Sequence, residues 1–227
     1  MNIIMPESFN KRSLAYRQLT DAEYIERSQG AVVYRIKEET SNQVSHPSLL
    51  DLSLVSRTGL RGANAEEHLK QIGLPVPVKP NQSSVGDNGE LILRLSQKEF
   101  WLLDGLTSKD DSIDKFNQHK LPADNCYSLF CQDSHAWFML TGPYLADIMA
   151  KLCGVDLRDT AFPLGSIAQT SIARINAVIV SHEINSIPVF SILSDSASAE
   201  YLWCALLDAI QEFDGSVGGL SELYSSI

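Results

Sequence analysis

The sequence of 227 residues lacks several features that define whole classes of protein. Its four cysteines show no paired spacing of the kind that binds a metal, so we expect reduced thiols in a cytoplasmic protein. The densest apolar run, 177–180, is far too short to cross a bilayer. Glu7, Lys11 and Arg12 place charge where a secretory signal would need an apolar stretch. We therefore expect neither secretion nor a membrane partner.

Basic residues are also scarce, with 18 Lys and Arg against 28 Asp and Glu and a formal charge of −10. This balance argues against a phosphate-binding surface, so no nucleic-acid partner is expected. Arg174 is the last basic residue, and only acidic residues carry charge beyond it. They are Glu183, Asp195, Glu200, Asp208, Glu212, Asp214 and Glu222. Two interpretations stay open: a solvated acidic face, or a docking surface for a basic partner.

Motifs for catalysis are missing as well. The segment 59–62 (GLRG) lacks the third glycine of a dinucleotide-binding loop and is typical of a turn before a helix. Ser166 lacks the flanking glycines of a nucleophile elbow. The five histidines are scattered, without the spacing of metal ligands. We predict no catalytic residue and no metal site in this chain.

The most informative stretch that is present runs from Trp137 to Thr170. An apolar strand at 137–140 leads into a helix, for which Pro143 suits the first position. One face of that helix is apolar at the expected spacing, through Leu145, Ile148, Met149 and Leu152. Gly154 is predicted to end the helix in a left-handed conformation.

The rest of the chain predicts a repeated arrangement. Residues 1–30 lack a clear core face, a strand follows at 31–37, and Asn64 with Glu67 indicates a capped helix that Gly73 ends. The second half repeats this order, with one long strand at 170–181 and a final helix at 196–213. The pattern predicts an α+β fold of two repeated β-α-β-β-α units, with antiparallel sheets and helices on one face.

This reading gives a division of the chain into four parts. They are an N-terminal arm, strand and linker (1–48), a first α+β unit (49–132), a second α+β unit (133–215) and a C-terminal tail (216–227). Trp101, Trp137 and Trp203 are expected in the core.

Short motifs, taken in order, carry a family resemblance. They are Leu140-Thr141-Gly142-Pro143, Cys153-Gly154-Val155-Asp156-Leu157, Phe162-Pro163-Leu164-Gly165, Thr170 and Ser198-Ala199-Glu200-Tyr201-Leu202-Trp203. Over roughly residues 50–213 the chain resembles the gamma subunit of heterotetrameric sarcosine oxidase. The residues that the resemblance marks as family features are Gly62, Gly142, Pro143, Asp156, Phe162, Pro163, Gly165, Thr170, Tyr201 and Trp203.

The resemblance implies a fold similar to the folate-binding domain of the glycine-cleavage T-protein. It implies alpha, beta and delta-type partner subunits, of which the large and medium subunits hold FAD, FMN, NAD and the folate site. The gamma chain is then a structural, non-catalytic component. The whole oxidase demethylates sarcosine and delivers a one-carbon unit to tetrahydrofolate. We expect no cofactor on this chain alone, although a free-standing, aminomethyltransferase-like protein that binds tetrahydrofolate stays an alternative.

A folate site is the one chemical function that the resemblance allows us to look for. Transferases of the T-protein type place a carboxylate in the turn after their first glycine-rich hairpin, where it assists proton transfer. Here that turn is 86–91, and the paired aspartates of the family are missing. The candidates are Asp87, Glu90 and Arg94, and turn chemistry alone also explains Asp87.

Overall fold

The computed structural model describes residues 3–27, 30–37, 46–106 and 112–224. The helices in this part are α1 (Ala65–Gln71), α2 (Ser112–Asn117), α3 (Cys131–Ser134), α4 (Leu145–Ala150) and α5 (Ala199–Gln211). The strands are β1 (Ala22–Arg27), β2 (Gly30–Ile36), β3 (Ser48–Asp51), β4 (Arg57–Arg61), β5 (Gln82–Val85), β6 (Leu91–Arg94), β7 (Glu99–Leu103), β8 (Tyr127–Leu129), β9 (His135–Thr141), β10 (Ile167–Ile172), β11 (Ile175–Ile184), β12 (Ile187–Asp195) and β13 (Ser216–Val217).

Two main sheets organise the molecule. One has the strand order β5-β6-β7-β4-β8, and the other has the order β10-β11-β12-β9-β3-β13. Neighbouring strands are antiparallel except for β13 and β3, and β1 and β2 form a separate hairpin. The predicted α+β fold with antiparallel sheets is confirmed. The order β5-β6-β7-β4 in one sheet matches β10-β11-β12-β9 in the other, so each repeat holds one strand more than predicted.

Three apolar clusters hold the layers together. Helices α1 and α2 pack on the outer face of the five-stranded sheet, and α4 and α5 on that of the six-stranded sheet. The inner faces of the two sheets share the third cluster. Strand β9 shows why its sequence is apolar throughout: Phe138 faces the helices and packs on Trp203, while Trp137 faces the other sheet. Trp101, Trp137 and Trp203 are buried, as predicted.

Strand β3 joins the two halves of the chain. It pairs with β9 on one side and β13 on the other, so it lies in the sheet of the second predicted unit. The chain then leaves this sheet after Asp51, builds the five-stranded sheet and returns at His135. The domain boundaries at 48, 132 and 215 stay a prediction, because sheet membership alone does not define a domain.

The expectation that residues 1–30 lack a core face is wrong. Ala15, Leu19, Tyr24 and Ile25 are buried, and Tyr24 and Ile25 lie in β1. The signal was weak because Ala15 and Leu19 lie in or beside single turns of helix, where no regular period develops. The described part of the predicted tail is also ordered, since 216–217 form β13 and Leu220 is buried between the sheets.

Helix ends differ from the predicted ones. Tyr144 is the N-cap residue of α4, in a left-handed conformation with φ 64°, so Pro143 precedes the helix instead of starting it. The helix ends at Ala150, and Gly154 is not among the glycines with positive φ. Asn64 occupies the N-cap position of α1, but its amide donates to the Asp124 carbonyl, so the predicted capping box does not form.

The predicted long strand at 170–181 is wrong. It is a hairpin of β10 and β11, which turn at Ala173 and Arg174 with φ of 48° and 70°. Two residues with positive φ give the turn type that matches strand twist, but alanine and arginine do not signal it. The final helix begins later than predicted, because 196–198 form a 3₁₀ turn before α5.

No helix in the described ranges is long and apolar enough to cross a membrane.

Candidate functional site

The inner faces of the two sheets leave a cavity of about 200 Å³ beside the tip of the β5–β6 hairpin. We call it the inter-sheet cavity. The five-stranded sheet contributes Val85, Gly89 and Leu91, and the six-stranded sheet contributes Trp137 and His182. Its remaining lining residues are Asp104, Leu106, Glu183, Ile184, Asn185 and Tyr224. It lies where the two repeats face each other, which is a common place for a binding site.

A chain of buried hydrogen bonds forms one wall of the cavity. The Trp137 Nε1–H donates to Ser191 Oγ at 3.0 Å, and Ser191 Oγ lies 2.8 Å from His182 Nε2. Because an indole only donates, Ser191 Oγ accepts from Trp137, and the same hydroxyl is hydrogen-bonded to His182 Nε2. Burial lowers the pKa of His182 to about 4. His182 is therefore neutral at pH 7, and its Nε2 is already hydrogen-bonded within the chain.

Tyr224 and Asp104 provide the other polar groups. The Tyr224 hydroxyl is buried and has no hydrogen-bond partner among the described residues. Burial raises the pKa of Tyr224 to about 12, so the hydroxyl stays protonated. Asp104 Oδ1 accepts the Ser112 backbone N–H at 2.9 Å. The cavity offers hydrogen-bonding groups and a carboxylate, without a nucleophile paired to a base.

The structure separates the predicted folate candidates from this cavity. Asp87 is exposed at the hairpin tip, and Glu90 is buried with Oε2 accepting the Asn88 N–H at 2.9 Å. Both line a different cavity of about 230 Å³, beside the end of α1 and beside α2. The Glu90 carboxylate therefore stabilises its own turn.

Arg94 lies at the opposite end of β6. Its Nη1 donates to the Pro77 carbonyl at 2.9 Å, its Nη2 pairs with Glu66 at 2.7 Å, and its guanidinium lies 5.2 Å from the centroid of the Phe100 ring. These contacts tie the proline-rich segment and α1 to the sheet. The three candidates do not come together at one site.

A whole tetrahydrofolate is too large for the inter-sheet cavity. Pockets for ligands of drug size occupy about 300–1,000 Å³, and the inter-sheet cavity is smaller than that range. The positions after Gly89 in β6 are the buried Leu91, Ile92 and Leu93, so no aspartate faces the cavity from this strand.

Most family-motif residues serve the architecture. Gly142 has φ 96°, and a Cβ there would lie 2.5 Å from the His46 carbonyl oxygen. Gly62 holds the equivalent place in the first repeat, with φ 144° and a Cβ position 1.9 Å from the Asn125 carbonyl oxygen. Phe162 packs edge-on against Phe190 in the core. These residues fix where each helix and loop approaches its sheet.

The other motif residues fall into two groups. Gly165 joins the two sheets, because its N–H donates to Ser181 and its carbonyl accepts from Ser83. Asp156, Pro163, Thr170 and Tyr201 lie at or near the surface, and the Arg158 guanidinium beside Asp156 lowers the pKa of that carboxyl to about 2. None of them contributes to the inter-sheet cavity.

Sequence reasoning missed the polar wall of that cavity. The available signal was a polar residue within an otherwise apolar strand, which applies to Ser191 and His182. Tyr224 had no such signal, since it lies in the predicted tail. Among the described residues, no group of three or more His, Cys, Asp or Glu is placed to hold a metal ion.

Comparisons with known proteins agree with this architecture. A chain of the heterotetrameric sarcosine oxidase from Corynebacterium sp. U-96 aligns with TM-score 0.64 and 21% identity, over 89% of this chain and 96% of that chain. The glycine cleavage system aminomethyltransferase T from Bartonella henselae aligns with TM-score 0.68 and 16% identity, over 95% of this chain and 61% of that chain. These likenesses show the fold.

A comparison with curated protein sequences gave no significant match. The sequence profile of one family, described as the GCVT N-terminal domain, matches residues 2–225. This chain therefore belongs to the GCVT N-terminal domain family.

Proposed function

We propose that the chain is a gamma-type, non-catalytic subunit of a complex that resembles heterotetrameric sarcosine oxidase. The alignment with a chain of that oxidase supports the proposal, because it covers nearly the whole length of both chains. In such a complex the partner subunits carry out the oxidative demethylation of sarcosine and the transfer of the one-carbon unit to tetrahydrofolate.

The main support for the proposal is that polar side chains among the site candidates and in the cavity wall are bonded to other groups of the same chain. Glu90 caps its own turn, Arg94 pairs with Glu66, and His182 is hydrogen-bonded to Ser191. Each of these three groups already stabilises the fold. A chain built in this way contributes surface and shape to an assembly.

The proposed partners are the alpha, beta and delta-type subunits, with FAD, FMN and NAD bound by them. Co-expression of this chain with such subunits, followed by size-exclusion chromatography, tests the assignment. We expect co-elution in one complex that retains sarcosine oxidase activity. Recovery of this chain apart from every partner would contradict the proposal.

A second candidate function has a specific observation in its favour. The Tyr224 hydroxyl, which has no partner among the described residues, and the Asp104 carboxylate line the inter-sheet cavity and offer polar contacts for one ring of a tetrahydrofolate. A free-standing tetrahydrofolate-binding, aminomethyltransferase-like protein is therefore the alternative. Calorimetric titration of the isolated chain with tetrahydrofolate separates the two functions. The gamma-type assignment predicts no heat of binding.

Variants sharpen this titration. If tetrahydrofolate binds in the inter-sheet cavity, Tyr224→Phe should weaken the binding because it removes the hydroxyl that lines the cavity, whereas Asp208→Asn on the exposed side of α5 is the control. Saturable binding by the unaltered chain that Tyr224→Phe reduces and Asp208→Asn does not would favour the alternative function.

A further inference from the structure

One edge of the five-stranded sheet has no further strand beside it within the part of the chain that the structure describes. Strand β8 is the last strand of that sheet and pairs with β4. The bonds from Gly62 N–H to Lys98 and from Asp104 N–H to Ser56 show that the even-numbered residues of β4 face β7. By alternation, Gly59 and Arg61 bond to β8, and the backbone N–H and C=O of Ser128 point away from the sheet.

The two repeats differ at this position. In the six-stranded sheet, β3 lies beside β9 as β8 lies beside β4, and β13 covers the outer side of β3. Within the described ranges, no strand covers β8 in this way. The fold thus shows, in its own second sheet, what occupies such an edge: an extended segment of chain.

A groove of about 530 Å³ follows this open edge. We call it the edge groove; its apolar lining includes Leu60, Ile113, Phe116, Leu121, Leu129 and Phe130. Phe130 is 89% exposed and Tyr127, on β8 itself, is 62% exposed. Exposed aromatic side chains beside unpaired backbone groups mark a surface that another chain can pair with.

Charged groups in the edge groove are engaged within this chain. Lys11 pairs with Asp133 at 2.9 Å. The Arg57 guanidinium donates to backbone carbonyls, including those of Ser53 at 3.0 Å and Cys131 at 3.1 Å. Neither cation is left to attract an anionic ligand.

The groove also has uncharged polar lining residues, which include Thr58, Asn117 and Gln132. Leu129, the last residue of β8, and Phe130 directly after it place apolar side chains at this strand and therefore favour an apolar segment along the edge.

We propose that the edge groove receives an extended apolar segment of a partner subunit, which pairs with β8 as a sixth strand. This inference rests on the proposed function, because it names the surface through which the chain enters the complex. The backbone of Ser128 supplies the hydrogen bonds, and Phe130 with the groove wall supplies the apolar contact.

A matched pair of substitutions tests the backbone contact. Ser128→Pro removes the outward N–H, and proline is tolerated on the edge of a sheet. Ser128→Ala changes the same side chain and keeps the N–H. In the co-expressed complex, we expect Ser128→Pro to raise the dissociation constant about tenfold relative to Ser128→Ala, as loss of one buried hydrogen bond would do.

A second pair tests the side-chain contact and does not depend on the proline variant folding. Phe130→Ser should weaken the complex by about tenfold or more, as for an aromatic anchor, whereas Tyr201→Ser on α5 removes an exposed aromatic from the other sheet's helix layer and should not. Circular dichroism confirms that each variant is folded.

The outcomes separate this inference from the proposed function. A complex that forms equally well with Ser128→Pro, Ser128→Ala and Phe130→Ser would overturn the docking surface and leave the gamma-type assignment standing. Absence of any complex with the unaltered chain would overturn both. A dimer of the isolated chain that Ser128→Pro disrupts would show that a second copy occupies the edge.

Discussion

The Arg57 side chain connects two segments of the chain through hydrogen bonds to their backbone. Its guanidinium is buried and donates to the backbone carbonyls of Ser53, Val55, Cys131, Gln132 and His135. Burial lowers the pKa of Arg57 to about 10, so it remains charged at pH 7. One side chain thus joins the loop before β4 to the return of the chain into β9.

We expect Arg57→Lys to lower the free energy of unfolding by about 3 kcal/mol or more, because an ammonium offers three donors and leaves buried carbonyls unpaired. Urea denaturation measures the loss. Arg61→Lys is the matched control, since Arg61 is exposed and pairs with Glu99 at the surface, where such pairs contribute about 0–1 kcal/mol. Equal effects of the two substitutions would contradict this role of Arg57.

His182 and Asp51 are buried, and their pKa shifts change the free energy of unfolding in opposite directions as the pH falls. Burial lowers the pKa of His182 to about 4, so stability from His182 is lost as pH falls from 6.5 towards 4. Burial raises the pKa of Asp51 to about 6, against hydrogen bonds from Ser53. Stability from Asp51 is present below pH 3.8 and is lost as pH rises towards 6. The two contributions offset each other between pH 4 and 6.

His182→Gln removes one contribution. Relative to the unaltered chain, the variant should gain stability on acidification from pH 6.5 to 4, by up to about 3 kcal/mol. Thermal unfolding at a series of pH values gives the difference. A difference that does not vary with pH would show that His182 is not held neutral in the fold.

Asp51→Asn should have the opposite effect on how the free energy of unfolding varies with pH. Relative to the unaltered chain it loses stability as pH falls from 6 to 4, by up to about 3 kcal/mol, because the favourable uptake of a proton by the folded state is gone. The same unfolding series measures it. If both variants shifted the profile in the same direction, the assignment of Asp51 would be wrong.

At the scale of elements, the φ angle of a glycine and the space for a Cβ show which turns require glycine. Gly142 combines φ 96° with a close backbone approach, Gly73 has φ 86° with open space, and Gly154 has open space without positive φ. Substitution by alanine should therefore cost more than about 2 kcal/mol at Gly142, about 1 kcal/mol at Gly73 and nearly nothing at Gly154. Urea denaturation of the three variants tests the order.

The sequence predicted the elements that carry a regular pattern. The strands at 31–37 and 137–140 and the buried face of α4 through Ile148 and Met149 follow from residue type and spacing. The turn at Ala173 was missed because its residues are not typical of turns, and the ends of α4 were misplaced because Tyr144 adopts a left-handed cap that no propensity indicates.

The candidate site was less accessible to prediction. Asp87 and Glu90 were candidates because the family resemblance places a carboxylate in this turn, and in the structure the Glu90 carboxylate accepts a backbone N–H of the turn itself. The inter-sheet cavity depends on which strands face each other across two repeats, and this is fixed by packing that a single sequence does not encode locally. His182 and Tyr224 meet only in the folded chain.

At the scale of the whole molecule, the C-terminal segment closes the space between the sheets. Leu220 is 1% exposed within the apolar cluster that both inner faces share. We expect Leu220→Ala to lower the free energy of unfolding by about 2–5 kcal/mol. Leu164→Ala, at a 57% exposed position, is the control and should change it little. Similar losses at both positions would contradict the placement of the C-terminal segment.

The pairing of β3 with β9 has a consequence for how the chain folds. Residues 52–134 form an insertion between two adjacent strands, with its entry at Asp51 and its exit at His135 on neighbouring strands. Closing so long a loop costs conformational entropy, which is offset only once β3 and β9 pair. Strands β5, β6 and β7 are close in sequence and can pair without such a cost. The five-stranded sheet can therefore collapse first and bring β3 and β9 together. Because the inserted segment enters and leaves at neighbouring strands, changes to the outer edge of the five-stranded sheet do not alter the strand order of the six-stranded sheet.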